Sequence, residues 1–190
     1  MSATPGVDPA IFRRLVTGDD ADGRSVLIVD GPPSTMSGDF EIGGLFDIWH
    51  DAVSGVLDPK THEDLGPSSA RLSPDSGKVK VRWFMVHPVP GDVPREQINA
   101  ATRQRFADFG AEDHLTDQSI HPAMHRTETL DVICLLQGEA SLVLDAGETP
   151  IRPGQIVIQR GTSHAWRAHG GPALFLAVLI DRPAPEAAKS

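Results

Sequence analysis

Two short segments hold the residue types that do chemistry. The first reads His121-Pro-Ala-Met-His-Arg-Thr-Glu-Thr-Leu-Asp-Val-Ile-Cys-Leu-Leu-Gln-Gly138, and the second Pro153-Gly-Gln-Ile-Val-Ile-Gln-Arg-Gly-Thr-Ser-His-Ala-Trp166. In both, histidines or a carboxylate are interleaved with β-branched and apolar residues and bounded by turn glycines. Strand–turn–strand passages of this kind aim imidazoles and a carboxylate into the lumen of a small β-barrel, because side chains alternate across a strand. Groups gathered in that way can hold a metal, move a proton or hydrogen-bond a ligand.

The elements that position them are mostly strands. The stretch 78–87 alternates, with Val79, Val81, Trp83, Met85 and His87 on one face and Lys80, Arg82, Phe84 and Val86 on the other, which predicts a strand. Further strands are predicted over 24–30, over 40–49 with a kink at Gly43-Gly44, and over 130–136, 140–144, 155–159, 164–167 and 173–180. One helix is predicted over 95–109, where Ile98, Thr102, Phe106 and Phe109 form a stripe and Gly110 follows as a cap. Residues 51–76 read as an irregular surface excursion rich in Pro, Ser, Gly and Asp. Residues 1–12 read as a loose arm with Ile11 and Phe12 as docking points. The chain is thus expected to be one structural domain: an N-terminal arm and strands over 1–75 packed on a barrel over 76–182, with a flexible tail over 183–190. The stretches 130–136 and 173–180 are apolar on both faces and need cover outside the barrel, from N-terminal strands or a second subunit, so a homodimer is expected.

Composition narrows the function classes. The formal net charge of −9 over 190 residues disfavours nucleic acid and anionic membranes as partners, since both need clustered Lys and Arg. The single cysteine, Cys134, cannot form a disulfide within the chain, and it is expected to be a buried, inert small hydrophobe. No apolar run approaches the ~20 residues of a membrane span, and the first residues lack the pattern of a secretory signal. A cytoplasmic protein with a small-molecule substrate or ligand is the expectation.

The two segments resemble the motifs of the cupin superfamily over the C-terminal part of the chain. The first cupin motif runs glycine, five residues, His-x-His, three or four residues, Glu, six residues, Gly. Its last glycine falls on Gly138, its glutamate on Asp131 and its histidines on His125 and Thr127, with Ser119 where the first glycine is expected. The second motif falls on Gly154, Gln159, Gly161, His164 and Ala168, one residue short of the family spacing and with Gln159 and Ala168 in place of proline and asparagine. The resemblance implies an all-β fold, a double-stranded β-helix (cupin or jelly-roll barrel), here with extra N-terminal strands and one short helix. It also implies a divalent transition metal, Fe, Mn, Ni, Zn or Cu, for which the matching positions leave His125, Asp131 and His164 as ligands and catalytic residues.

Two imidazoles and a carboxylate suffice for a divalent metal with open positions. Against this, the Thr127 hydroxyl is a poor ligand and Asp131 is one methylene shorter than glutamate, so a metal-free pocket stands beside the metal centre. Thr127, Gln159, Trp166 and Trp83 are the expected substrate contacts: Gln159 by hydrogen bonding, Trp166 as an aromatic wall on the face of His164, and Trp83 with Trp49 and His87 from the opposite side. His121 could supply a replacement ligand, although a histidine before Pro122 reads first as a surface residue; His50 and His62 read as surface residues too, and Arg126 and Arg160 point away from the lumen by strand alternation. Three functions are compatible with this reading. One is a metal-dependent enzyme (oxygenase, decarboxylase, lyase or isomerase) acting on a small oxygenated molecule. The others are a non-catalytic binding barrel and a metal-free enzyme with His125 or His164 as general base, oriented by Asp131.

Overall fold

A computed structural model describes residues 7–182, so the expected tail over 183–190 lies outside the described residues. The strands are β1 (Arg14–Asp19), β2 (Ser25–Gly31), β3 (Thr35–Asp39), β4 (Gly43–Ala52), β5 (Lys78–Val86), β6 (Thr129–Leu144), β7 (Gly147–Ile151), β8 (Ile156–Arg160) and β9 (His164–Asp181). One α-helix, α1 (Arg95–Asp108), sits between β5 and β6. Strands β1 and β2 form an antiparallel hairpin. The other seven make one antiparallel sheet in the order β3-β4-β5-β9-β6-β7, with β8 paired to β6, and it forms the β-barrel. Strands β3 and β4, on the N-terminal side of the boundary expected at 75/76, are hydrogen-bonded into the same sheet as β5.

Two pairs of expected strands are each one long strand. The stretches 130–136 and 140–144 are joined in β6, and 164–167 and 173–180 in β9, because bulges between Leu135 and Gln137 and between Gln137 and Glu139 bend the ladder without ending it. Gly138 makes the bend possible: its φ is +88°, and a Cβ there would collide with the Pro172 carbonyl oxygen. Strands β1, β3 and β7 were not expected, since they are short and carry Gly, Thr, Asp or Pro. Pro150 is tolerated in β7 because β7 lies at the sheet edge.

The face assignment of β5 corrects one expected contact. Trp83 does not line the lumen; it packs outside it with Phe12, Phe46 and Leu174, and the Phe12 and Trp83 rings are 5.5 Å apart. The N-terminal arm does dock through Phe12, and that docking takes Trp83 out of the site. Arg82 turns inward instead. It is 2% exposed, and its Nε lies 2.9 Å from Asp47 Oδ1. Its other nitrogens donate to the carbonyls of Leu72 (3.1 Å) and Arg71 (2.6 Å), so the excursion over 51–76 folds back to satisfy a buried cation. Lys80, also buried, has its Nζ 3.7 Å from Asp47. Removing Asp47 would leave two buried cations without their counter-ion, a loss of about 3–5 kcal/mol. Asp47→Ala is therefore expected to lower the urea midpoint by a matching amount, and a change under about 1 kcal/mol would contradict the assignment.

On the outside of the barrel, Val81, Val178, Val132 and Ile158 lie opposite one another in a single row across β5, β9, β6 and β8. A parallel row joins Leu176, Cys134 and Ile156, so Cys134 is half-buried on this outer face rather than buried. Ile156 and Ile158 are 56% and 54% exposed. An exposed apolar face of this kind is one that the expected homodimer would cover. Sedimentation is expected to give a mass near twice 20.4 kDa, with Ile158→Lys restoring the single-chain mass. A single-chain mass for the unaltered protein at high concentration would contradict this.

Candidate active site

The backbone brings His125 and His164 together. The N–H of each donates to the carbonyl of the other at 2.9 Å, an isolated antiparallel bridge. Residues that exchange both hydrogen bonds sit directly opposite and send their side chains to one side of the ladder. The ring centroids are accordingly 4.3 Å apart. Each Nδ1 lies 2.9 Å from a carbonyl oxygen two residues back, that of Ala123 for His125 and that of Thr162 for His164. A carbonyl only accepts, so both rings carry their proton on Nδ1 and leave Nε2 as a bare acceptor.

His121 has the opposite tautomer. The Ala123 N–H donates to its Nδ1 at 3.2 Å, which puts the ring proton on Nε2, and that atom is buried without a partner. The three rings line a cavity of about 610 Å³. Its walls are otherwise largely apolar, from Phe84, Ile133, Trp166 and Leu179, and α1 roofs it with Ile98, Thr102 and Phe106. Phe175 stiffens the aromatic wall, stacked on Phe84 at 4.6 Å and tilted against Trp166 at 4.9 Å. Arg105 and Arg95 hold the roof down: Arg105 donates to the Ile42 and Gly43 carbonyls, Arg95 to those of Gln118 and Ser119.

Burial sets the charge states. It pushes His125 down to about 3, with the neighbouring His164 adding to the effect, and it takes His164 and His121 to about 4. Burial pushes Asp131 the other way, to about 6, opposed by a hydrogen bond from Thr129 and by the charge of Arg82. At neutral pH all three imidazoles are therefore neutral and Asp131 is mostly ionised.

No family model matches this chain. It is 53% identical over 45 residues to the phomopsin biosynthesis cluster protein C' of Diaporthe leptostromiformis (23% of this chain, 24% of that protein). It is 39% identical over 67 residues to a cupin-domain-containing oxidoreductase of Aspergillus ruber, 33% of each chain. The chain spans between about a quarter and about a half of the length of the curated relatives it matches. Among solved structures, the cupin 2 domain-containing protein of Halorhodospira halophila covers 92% of this chain and 86% of its own at 18% identity, with a TM-score of 0.39 that carries no part of the argument. Several of the matched relatives are cupin-domain-containing oxidoreductases, and their matched stretches accompany a barrel of antiparallel strands with its histidines inside. Over these stretches the chain is similar to cupin-domain-containing oxidoreductases, and its antiparallel barrel is of the cupin type.

In this barrel His125, His164, Asp131, Thr127 and Trp166 all line the cavity. Gln159 and Trp83 do not, and both need correcting as substrate contacts. Gln159 is buried behind the turn, where its amide donates to the Thr162 carbonyl at 2.8 Å, the same oxygen that holds His164 Nδ1. It positions His164 rather than reading a ligand. Trp49 is also off the wall, whereas His87 is on it. His121, expected at the surface, is 3% exposed and lines the lumen. Its spacing of four from His125 is the sequence signal for that position. Arg126 and Arg160 are exposed, as alternation indicates.

The donor set does not fit a metal held by three or more protein ligands. Among the described residues no three His, Cys, Asp or Glu side chains come together as a metal-holding group, so Asp131 does not complete a triad with the two histidines. The Thr127 hydroxyl is paired instead with that of Thr129 at 2.7 Å. Two imidazoles remain, oriented by backbone carbonyls.

The depressed imidazoles make stability depend on pH. Each binds fewer protons folded than unfolded between about 3 or 4 and 6.5, so its contribution is intact above 6.5 and is lost as pH falls through that window. Asp131 opposes this, since its raised value gives a contribution present at low pH and lost as pH rises through about 6. With three imidazoles against one carboxyl, the denaturation midpoint is expected to drop steadily from pH 6.5 to 4.5. His164→Leu should flatten that slope, and an unchanged slope would place the ring in solvent.

Proposed function

We propose that this protein is an enzyme that moves a proton on a small, largely apolar α-hydroxycarbonyl compound held in the lumen. His125 or His164 is the base and His121 the hydrogen-bond donor. The observation behind this is the division of tautomers: two bare Nε2 atoms and one Nε2–H belong to rings that line the same cavity. Nε2 takes the proton from the carbon beside the carbonyl, and the C–H electron pair becomes the new C=C bond. The carbonyl π pair moves onto oxygen, where the His121 N–H meets the growing charge. The hydroxyl proton passes to the enolate oxygen, and return of the first proton to the former carbonyl carbon interconverts hydroxyl and carbonyl, oxidising one carbon and reducing its neighbour with no outside oxidant. The oxidoreductase names of several relatives are compatible with such an internal exchange.

The low imidazole values are compatible with this role. Imidazolium and enolate arise together, so their attraction offsets the burial that keeps the resting rings neutral. The cavity is within the ordinary range for small ligands, about 300–1,000 Å³, and its aromatic walls favour an unsaturated or aromatic body.

The test is hydrogen exchange in D2O with aromatic α-hydroxyketones. The wild-type protein should wash deuterium into the carbon next to the carbonyl, and the His125→Gln/His164→Gln double variant should be slower by about 10²–10⁴-fold. Exchange unaffected in the double variant contradicts the proposal. So does exchange that a chelator abolishes and one added divalent metal restores.

A further inference from the structure

Three buried side chains on one face of the chain are left over by this scheme. Thr127, Thr129 and Asp131 are 3%, 3% and 2% exposed and spaced two apart, so they point the same way as the chain enters β6. Their polar atoms form a series: Thr127 Oγ1 and Thr129 Oγ1 are 2.7 Å apart, and the Thr129 side chain is hydrogen-bonded to the Asp131 carboxylate. An ionised carboxylate only accepts, so Thr129 donates to Asp131 and Thr127 donates to Thr129. That ordering spends both hydroxyl protons inside the series. What Thr127 and Asp131 can offer the cavity they line is lone pairs alone.

Asp131 Oδ1 is buried and has no hydrogen-bond partner in the protein. A purely structural role as the counter-ion of Arg82 does not account for it. The Arg82 guanidinium is directed elsewhere: its Nε is ion-paired with Asp47 at 2.9 Å and its other two nitrogens donate to the carbonyls of Arg71 and Leu72. A buried carboxylate oxygen without a donor is costly, and the cavity is where a donor can come from.

We infer that Asp131, backed by Thr129 and Thr127, is the specificity-determining group of this lumen and takes the hydroxyl O–H of the bound molecule. The inference rests on the lumen being the substrate site, and it goes further by stating which oxygen function is read and by what. The hydroxyl donates its hydrogen to the carboxylate, while the neighbouring carbonyl is left for the His121 N–H. A carboxylate substrate is refused, since it would bring a second anion against Asp131 with no donor between them. An ether of the same shape is refused because it leaves the buried oxygen unpaired.

A matched pair of probes, α-hydroxyacetophenone and α-methoxyacetophenone, tests this by equilibrium binding, without reference to turnover. The wild-type protein should bind the hydroxy compound at least about tenfold more tightly than its ether, the fold-change of one charge-assisted hydrogen bond. Asp131→Leu, close in shape but without an acceptor, should bring the ratio near one, the hydroxy compound losing its hydrogen bond and the ether losing the penalty of an unpaired carboxylate oxygen. Thr129→Val should lower the ratio more mildly. The wild-type ratio is decisive even where a variant fails to fold: a ratio near one overturns the inference and leaves the lumen reading standing. If neither compound binds, the lumen reading fails and takes this inference with it. An unaltered preference in a folded Asp131→Leu protein also overturns it.

Discussion

Everything at this site depends on a backbone constraint, the reciprocal hydrogen bonding of His125 and His164. Because each residue both donates to and accepts from the other, the chain cannot shift its register there without breaking two hydrogen bonds and sending one imidazole to the far side. Residues nearly forty apart in sequence are thereby held as neighbours. The carbonyls of Ala123 and Thr162 then choose the tautomer of each ring, and Gln159 secures the second carbonyl from behind. The chemistry of the pair is thus decided by main-chain atoms, and the side chains around it supply shape and dielectric.

Burial gives the same site its two kinds of acceptor. Imidazole and carboxyl respond to desolvation in opposite senses, so one apolar cavity holds histidines neutral and raises an aspartate to about 6. The buried cluster of Asp47, Arg82 and Lys80 belongs to this balance. It keeps a cation behind Asp131 without donating a hydrogen bond to it, which favours the ionised carboxylate and leaves an oxygen open. Helix α1 completes the enclosure. Its apolar stripe faces the cavity rather than a sheet, and arginines fasten it to loop carbonyls at the rim.

The β class, the single helix with its stripe and the location of both histidines inside the barrel were legible in the sequence. Alternation and turn glycines report directly on which residues share a face. What was not legible depends on register between distant strands. Trp83 and Arg82 alternate, but which of them faces inward is decided by Phe12 docking outside and Asp47 pairing inside, and neither contact leaves a local pattern. Gln159 occupies an inward position, yet the turn after it captures its amide. The carboxylate at position 131 fits the metal motif by spacing, whereas its hydrogen bonding with the hydroxyls before it depends on side-chain packing that the motif does not carry. His121 was discounted for its proline neighbour, although the turn over 121–124 is what carries it into the lumen.

The most direct test of this account is a long-range proton–nitrogen correlation spectrum of nitrogen-labelled histidines at neutral pH, assigned by single substitutions. His125 and His164 are predicted to show a protonated Nδ1 and a bare Nε2, and His121 the reverse, all three neutral. An imidazolium at position 125 or 164, or a proton on the Nε2 of either, would contradict the arrangement on which the proposed chemistry depends.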